Sequence, residues 1–515
     1  MSITGDAMTV PVGGATAHDG PRRRSQFWRG GAVSRASTRT KLGLLAMALI
    51  VALSLLVVVM AANRPSLLAS TTHVGFFPHW MAGPLGGLLP GFTRNSTTLK
   101  YWFTGAVVLM YASYLVMLRC TPELRARWVL GAILAVHVIF VLSPPLTLTD
   151  VFNYINYGRM EVVHHLNPYT TIPIVEPHND PSYALSNWHE LLSPYGPLFT
   201  MLTFLVVPLG VAASFWALKL VLAAASLATV LLVWRCARLL GRDPLAAVAL
   251  VGLNPIVLVW GLGGDHNDAL MVLFIVFGIY LLLRASLAAE VGGVPVATRV
   301  GGWLLPLVPL EIGAGGAFVV ATGIKASAGV LIPIVLASLL RSPRALIQVL
   351  LGMLSAGVVV GALSLLAFGL HIPDLSTQSH VVSNESIPNL IGLAIGSGGE
   401  TAGVRIAMAG ALVIVMVACC RLAWRSRDAI TASGWASVAL LLVLSWVLPW
   451  YVLWALPLAA LSASSRLRGA VLVVGAYLIV AWAPASSRLW DAIGFHPERT
   501  PVGRLHQRYI KELLN

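Results

Sequence analysis

The chain is a succession of apolar blocks, each of roughly 15–25 residues, separated by short polar stretches. A bilayer core about 30 Å thick is crossed by about 20 helical residues, and backbone in lipid must satisfy its hydrogen bonds within its own segment. The pattern therefore predicts membrane-spanning helices. We place about 13 of them, at residues 42–62, 98–118, 128–146, 213–234, 245–262, 267–284, 302–323, 326–340, 345–368, 402–420, 432–448, 450–463 and 469–485.

One apolar run is too short for this scheme. Leu198 to Leu209 offers only about a dozen residues, a length that fits a re-entrant or interfacial helix. If this run crossed the membrane, Arg235, Arg238 and Arg242 would lie on the outer side. Because positive charge is retained on the cytoplasmic side, we favour the re-entrant interpretation.

Composition supports a membrane protein and argues against nucleic acid as a partner. Hydrophobic residues make up 57% of the chain, charged residues 10%, and mean hydropathy is +0.82, so there is too little polar surface for a soluble globule. The net charge of +14 lies in short clusters between apolar blocks, where anionic lipid and the positive-inside rule explain it. We expect an all-α polytopic protein of the plasma membrane.

Charge also orders the chain into three parts. Residues 1–40 predict a disordered basic cytoplasmic tail, residues 41–485 a transmembrane domain and residues 486–515 a basic C-terminal tail. The direction of the last span stays open, because the number of spans places its basic tail outside, whereas the positive-inside rule favours the cytoplasmic side. The long loops 63–97, 147–197 and 371–401 all fall outside, so function is expected on the extracytoplasmic face.

The loop that follows the third span carries the first candidate site. Thr149 is a plausible helix N-cap, and Asp150, Tyr154, Tyr157 and Glu161 then share one helical face. Asp150 would lie at the positive end of the helix dipole, which favours the ionised form that a general base needs. The alternative is that Asp150 only caps the helix.

Further along the same loop, aromatic and amide side chains alternate with helix-breaking residues. Asn167 and Tyr169 flank a proline, Trp188 follows, and Tyr195 precedes Gly-Pro. Rings that stack on the CH faces of a sugar, beside polar groups that bind its hydroxyls, suit a carbohydrate. An interfacial aromatic belt has the same composition and remains the alternative.

A second cluster lies at the outer junction of two spans. Asp265, His266, Asn267 and Asp268 follow a glycine-rich stretch, at a depth where ionised groups are costly and need partners. Their spacing allows a divalent metal without implying one, and a polar hinge without a ligand is the main alternative.

Two later segments complete the candidates. Lys325 is a lone cation between apolar runs, either a phosphate partner or a lysine that snorkels to the interface. Trp450 and Tyr451 follow Pro449 at an outer turn, where lipid anchoring alone is a sufficient explanation.

Taken together, these residues resemble a known family. From about residue 147 to 457 the chain is similar to the actinobacterial polyprenol-phosphate-mannose-dependent α-1,6-mannosyltransferases, membrane enzymes of the GT-C type that extend the mannan of lipomannan and lipoarabinomannan. The motifs that carry the resemblance are Asp150 with Tyr154 and Gly158, Asn167-Pro168-Tyr169, Tyr195-Gly196-Pro197, Asn254-Pro255, Gly264 with His266-Asn267-Asp268, Lys325-Ala326-Ser327-Ala328-Gly329 and Pro449-Trp450-Tyr451.

The resemblance implies a GT-C bundle with a long catalytic loop after the third span and Asp150 as the catalytic base of an inverting mannosyl transfer. Lys325 or Arg159 would face the phosphate of a polyprenyl phosphomannose donor, and no metal is required once a cation meets that charge. The acceptor would be a mannan or glycolipid. The substrate-binding residues expected are Tyr154, Arg159, Asn167, Tyr169, Tyr195, His266, Asn267, Asp268, Lys325, Trp450 and Tyr451.

Two alternatives remain open at this stage. A lipid or solute transporter would place ionisable groups near the bilayer midplane on broken helices, whereas most polar clusters here lie at outer ends. A GT-C enzyme with another lipid phosphosugar or another acceptor would carry the same signals.

Overall fold

The computed structural model describes residues 37–63, 78–88, 96–146, 150–290, 299–300, 303–304 and 309–513. The predicted N-terminal tail and the proposed Thr149 cap therefore lie outside the described residues, apart from the last few residues of that tail. The described chain from Thr38 onward forms one compact unit.

Nearly every predicted apolar block is an α-helix. The first ten are α1 Thr38–Asn63, α2 Ser96–Cys120, α3 Ala126–Val141, α4 Asp150–His164, α5 Pro197–Phe204, α6 Val211–Leu239, α7 Pro244–Gly252, α8 Asp268–Glu290, α9 Leu310–Ile324 and α10 Ile332–Leu339. The remainder are α11 Pro343–Phe368, α12 Ser376–Ser379, α13 Ile387–Ala394, α14 Ala402–Ser426, α15 Ala429–Val443, α16 Leu456–Leu461, α17 Ser465–Trp482, α18 Ser486–Ala492 and α19 Pro501–Leu513. Arg299–Val300 pairs antiparallel with Trp303–Leu304 in a two-residue ladder.

The expected all-α polytopic membrane fold is confirmed. Within the described residues, seven helices are long and apolar enough to cross a bilayer: α1, α2, α6, α8, α11, α14 and α17. Six shorter apolar stretches of 10–17 residues accompany them, including the run 197–209 that we interpreted as re-entrant. The total of about 13 spans stays a prediction.

Exposed apolar surface identifies the lipid-facing side. The most apolar windows of α11 and α14 are only 17% and 11% buried, and side chains such as Leu366 (84% exposed) and Ile414 (72%) project outward. A soluble protein rarely leaves a patch of this size in water. Hydrocarbon is the medium that accommodates it, because lipid tails are as apolar as these side chains.

Two of the predicted spans are interrupted. The expected span 245–262 ends as an α-helix at Gly252, passes through Asn254 and Pro255, and resumes as a π-helical segment, Val257–Leu262. Proline lacks the N–H needed to continue the ladder. The expected span 450–463 likewise divides into the 3-10 turn Pro449–Trp454 and α16. Irregular backbone therefore interrupts both segments.

The predicted C-terminal tail folds onto the long loops 147–197 and 371–401. Leu513 packs with Leu191 and Val381 from the two long loops, and the Tyr509 hydroxyl donates to the Thr377 carbonyl at 3.1 Å. The tail thus lies with the loop that carries Asp150, which agrees with the orientation of the last span deduced from parity. The boundary of the tail at residue 486 stays a prediction.

Sidedness can be tested with single cysteines. Asn179 in the long loop and Ser426 at the end of α14 are both exposed, and of the native cysteines only Cys420 is partly accessible. In a Cys420→Ser background we expect a membrane-impermeant maleimide to label Asn179→Cys in intact cells. Ser426→Cys should be labelled only after permeabilisation. Labelling in the opposite order would place the candidate site on the cytoplasmic face.

Candidate active site

Helix α4 presents Asp150 from its first turn. Asp150 lies at the helix N-terminus with its side chain 13% exposed, while Tyr154 and Tyr157 on the same face are buried. The loop that follows is fastened to α4: the Tyr157 hydroxyl donates to the Leu191 carbonyl at 2.6 Å, and the Asn153 amide donates to Asn187 at 2.7 Å. The predicted helical face is therefore the face on which the catalytic loop folds.

A strained turn between the π-helical segment and α8 presents the second cluster. Asp265 has a φ of +57°, a conformation uncommon outside glycine. Its carboxylate accepts two hydrogen bonds from Lys219 of α6, at 2.8 and 3.0 Å, and both side chains are 1% exposed. The ion pair ties this turn to a neighbouring helix.

The imidazole of His266 joins the two clusters. Its ring is stacked on Trp450 with centroids 3.4 Å apart and an interplanar angle of 8°, and its Nδ1 lies 3.3 Å from Asp150 Oδ2. That contact lacks hydrogen-bond geometry, and neither ring nitrogen has a partner among the described residues. Buried polar groups are rarely left without a hydrogen bond, so an imidazole with both nitrogens unsatisfied marks this position as a candidate for a functional role.

Glycine at position 264 allows this stacking. A Cβ there would lie 2.3 Å from the Trp260 carbonyl oxygen and 2.5 Å from Nε2 of His266. Any larger residue must displace the imidazole or the backbone.

Asp268 begins α8 and holds a cation. Lys325 Nζ donates to both of its carboxylate oxygens, at 2.9 and 2.8 Å, and Trp454 Nε1 donates to Oδ1 at 2.5 Å. The ammonium also lies 4.8 Å from the ring centroid of Tyr451, in cation–π range. The geometry therefore fixes Lys325 in place instead of letting it extend to the membrane surface.

These groups surround one pocket. Asp150, Tyr154, Tyr195, His266, Lys325, Trp450 and Tyr451 line it, together with Trp188, Leu191, Pro194, Gln378, Val381, Trp446 and Leu448. Its volume is about 90 Å³, room for a few water molecules. Loop side chains must therefore separate before a hexose enters. Seven of the twelve site residues that we predicted meet here.

Besides Asp268, whose carboxylate holds Lys325, four predicted residues do not line the pocket. Asn167 donates to the Phe368 carbonyl at 2.8 Å and accepts from the Tyr169 backbone, which makes it a turn residue. The Tyr169 hydroxyl donates to the Tyr195 carbonyl at 2.8 Å. Asn267 is fully buried behind His266, and its amide group has no partner among the described residues.

Arg159 is the fourth, and the structure corrects its expected role. Its guanidinium forms a bidentate ion pair with Asp180, at 2.8–3.1 Å, and does not line the pocket. Burial raises the pKa of Asp180, but Arg159 and the hydrogen bonds from Ser182 and His164 outweigh it and hold that pKa well below its usual range. Arg159 thus stabilises the loop, and Lys325 is the cation at the pocket.

The carboxylates of Asp265 and Asp268 are turned toward different lysines. Among the described residues no group of three or more histidine, cysteine, aspartate or glutamate side chains is placed to hold a metal ion. The arrangement gives no support to the metal alternative for this cluster.

Sequence reasoning missed Lys219, Gln378 and Val381. A single lysine inside the apolar helix α6 was a usable signal, because an intramembrane charge requires a partner. Gln378 and Val381 reach the pocket from a loop more than 200 residues away along the chain from Asp150, and no local pattern identifies them.

The sequence matches an established family model. Residues 40–341 match the model described as alpha-(1->6)-mannopyranosyltransferase, N-terminal domain. The chain belongs to this family. Residues 385–495 match the MptB C-terminal domain. Membership makes the chain a mannosyltransferase that forms α-1,6 linkages, so the transporter alternative is set aside.

Curated relatives agree with the family match. Alpha-(1->6)-mannopyranosyltransferase A of Mycobacterium tuberculosis is 27% identical over 379 residues, which cover 67% of this chain and 68% of the relative. A probable alpha-(1->6)-mannopyranosyltransferase of Mycolicibacterium smegmatis is 27% identical over 74% of both chains. Alpha-(1->6)-mannopyranosyltransferase A of Corynebacterium glutamicum is 29% identical over 32% of this chain and 34% of the relative. No solved structure matches the chain significantly.

The steric role of Gly264 gives a testable consequence. Gly264→Ala should push His266 off Trp450 and lower mannosyl transfer, with a loss of stability of about 1–3 kcal/mol, typical of overpacking. The matched control is Gly357→Ala in α11, where an added Cβ meets nothing within 4 Å. Thermal unfolding measures the stability of both variants, and a transfer assay measures their activity. Equal activity of Gly264→Ala and wild type would show that the stacked imidazole is not needed.

Proposed function

We propose that this mannosyltransferase takes mannose from a polyprenyl phosphomannose donor and transfers it to a hydroxyl of a mannan or glycolipid acceptor, on the extracytoplasmic face of the plasma membrane. The observation that carries the proposal is the convergence of Asp150, His266 and Lys325 in one aromatic-walled pocket at one end of the helix bundle. That pocket offers a base and a cation within a site that membrane lipid can reach.

The reaction is a single displacement. The acceptor oxygen attacks the anomeric carbon, the bond from that carbon to the phosphate oxygen breaks, and the configuration inverts. The acceptor proton goes to the carboxylate of Asp150, and the bonding pair leaves with the polyprenyl phosphate. Inversion requires base and leaving group on opposite faces of the sugar, so we place the acceptor beside Asp150 and the phosphate beside Lys325.

Asp150 suits the role of base for two reasons. At the first turn of α4 it lies at the positive end of the helix dipole, a favourable position for an acidic side chain. Its partial exposure leaves one side open to the pocket, and the nearby His266 Nδ1 limits its rotation. We infer that His266 positions Asp150 through Nδ1.

Lys325 suits the leaving phosphate. Phosphate leaves readily when a fixed cation meets its charge, without a metal. Asp268 and the rings of Tyr451 and Trp454 hold the ammonium at the pocket wall, so little reorganisation is needed as charge develops on the leaving oxygen. The polyprenyl chain would continue from there into lipid.

The pocket walls suit a sugar. Trp188, Trp446, Trp450 and Tyr451 supply rings for the CH faces of mannose. Gln378 supplies an amide for hydroxyl groups. Because Trp188 and Gln378 come from two different loops, we expect them to separate when substrate enters.

The most direct mutation is Asp150→Asn, which keeps the size of the side chain and much of its capping ability. Loss of a general base typically lowers the rate about 10²–10⁴-fold. We expect stable protein with transfer from polyprenyl phosphomannose to a short α-mannoside reduced by that range. The control is Asp374→Asn, an exposed aspartate of the 371–401 loop that does not line the pocket. Full activity of stable Asp150→Asn would leave Asp150 as a helix cap.

The role of Lys325 needs a charge-balanced test, because Lys325→Met alone strands the buried carboxylate of Asp268. The double variant Lys325→Met/Asp268→Asn removes both charges together. We expect it to fold and to lose transfer at all donor concentrations, since the developing phosphate charge meets no cation. The loss of transfer is measured by comparing kcat and KM for the donor between the double variant and wild type. Unchanged values for the double variant would contradict a phosphate role.

A further inference from the structure

A larger cavity lies at the other end of the bundle. Helices α2 and α17 run antiparallel: the Tyr111 hydroxyl donates to the Leu472 carbonyl, and the Ala485 N–H donates to Thr104 near the start of α2. The C-terminal end of α2 therefore meets the N-terminal end of α17, away from Asp150. The cavity there is about 690 Å³ in volume, more than seven times that of the proposed active site.

Three arginines line this cavity. Arg119 ends α2, Arg242 lies between α6 and α7, and Arg468 lies in the first turn of α17. Among the described residues none of the three forms an ion pair with an acidic side chain. Arg468 donates to the Ser462 carbonyl at 2.8 Å, whereas Nε of Arg242 is buried without a partner in the described part of the chain.

The two acidic residues nearby each cap a helix through one carboxylate oxygen. Asp243 lines the cavity, but its Oδ1 accepts from the backbone N–H groups of Leu245 and Ala246 and caps α7. Asp428, from the start of α15, caps that helix through Thr431. Burial lowers the pKa of Arg242; Asp428 opposes this and Arg468 adds to it, as expected for cations held close together.

The remaining wall is apolar. Leu115, Leu118, Leu250 and Leu472 face the cavity. Arg242 also borders a second cavity of about 330 Å³, which is lined mainly by aliphatic side chains and Phe318, with Arg427 and Asp428 as its other charged residues. Apolar space between helices therefore adjoins Arg242.

Positive charge at cytoplasmic helix ends is usual and has two ordinary explanations, topology and snorkelling. Neither explanation accounts for Nε of Arg242, which is buried without a hydrogen-bond partner among the described residues and so costs free energy unless an anion meets it. We propose that this cavity binds the phosphate head group of an anionic membrane lipid, with Arg119, Arg242 and Arg468 on the phosphate and the acyl chain along the leucine wall.

The test is a binding titration that does not depend on transfer activity. Full-length protein in detergent is titrated with dioctanoyl phosphatidylglycerol, and thermal unfolding is followed; dioctanoyl phosphatidylcholine and glycerol phosphate are the comparison probes. We expect a saturable rise in Tm with the anionic lipid only. At about 1 kcal/mol for each arginine, Arg242→Gln/Arg468→Gln should weaken binding roughly tenfold or more.

Arg238→Gln is the matched control, because Arg238 is exposed in the last turn of α6 and lines neither cavity. It should bind like wild type. If the double variant does not fold, Arg119→Gln at the exposed end of α2 replaces it, with an expected loss of roughly fivefold. Equal binding of the two lipids, or wild-type affinity in the variants, would overturn the proposal. Glycerol phosphate binding as tightly as the lipid would overturn the assignment to a lipid.

Discussion

The ion pair between Lys219 and Asp265 lies almost wholly out of water, at the point where the polar turn meets the helix bundle. Removing two ions from water costs several kcal/mol per ion, and removing one partner alone costs about 3–5 kcal/mol, whereas replacing both by apolar residues is often neutral. Such a pair therefore fixes position more than it adds stability. Here it fixes Asp265 in a left-handed conformation, and the residues on either side of Asp265 follow from that.

The turn that contains Asp265 positions two separate contacts beside the pocket. On one side of Asp265, Gly264 leaves room for the imidazole of His266 between the backbone and Trp450. On the other side, Asp268 starts α8 and receives Lys325 and Trp454. Asp150 on α4 and Lys325 after α9 come from distant parts of the chain, and this one turn contacts both through His266 and Asp268. The proposed chemistry thus depends on a charge pair that does not itself touch the pocket.

The sequence predicted what depends on local periodicity. The apolar blocks predicted the helices, since lipid leaves the backbone no alternative, and the spacing of Asp150, Tyr154 and Tyr157 predicted the face of α4. Parity alone placed the C-terminal segment at the same end as that helix, while the basic residues of the segment argued against it and left the direction of the last span open. The sequence showed Pro255 and Pro449 as helix-breaking residues. It did not show how much each proline would shorten the helix that contains it.

The sequence could not predict which charged side chains pair with each other. Arg159 could have faced a phosphate, and only the fold shows that Asp180, 21 residues later, occupies its guanidinium. Lys219 meets a carboxylate 46 residues away. Burial raises the pKa of Glu176 to about 8 in the same loop, and no motif marks that residue. The two ion pairs and the burial of Glu176 are all decided by tertiary packing, which the local sequence does not specify.

The central claim is that mannose is transferred at Asp150, with the donor phosphate at Lys325. The most direct test is a cryo-electron microscopy structure of the protein with a non-hydrolysable phosphonate analogue of a short polyprenyl phosphomannose. We predict sugar density between Asp150 and Lys325, the phosphonate within hydrogen-bond distance of Lys325 Nζ, and the loops carrying Trp188 and Gln378 further apart than in the unliganded chain. Ordered analogue density outside this pocket, with Asp150 remote from the anomeric carbon, would contradict the account.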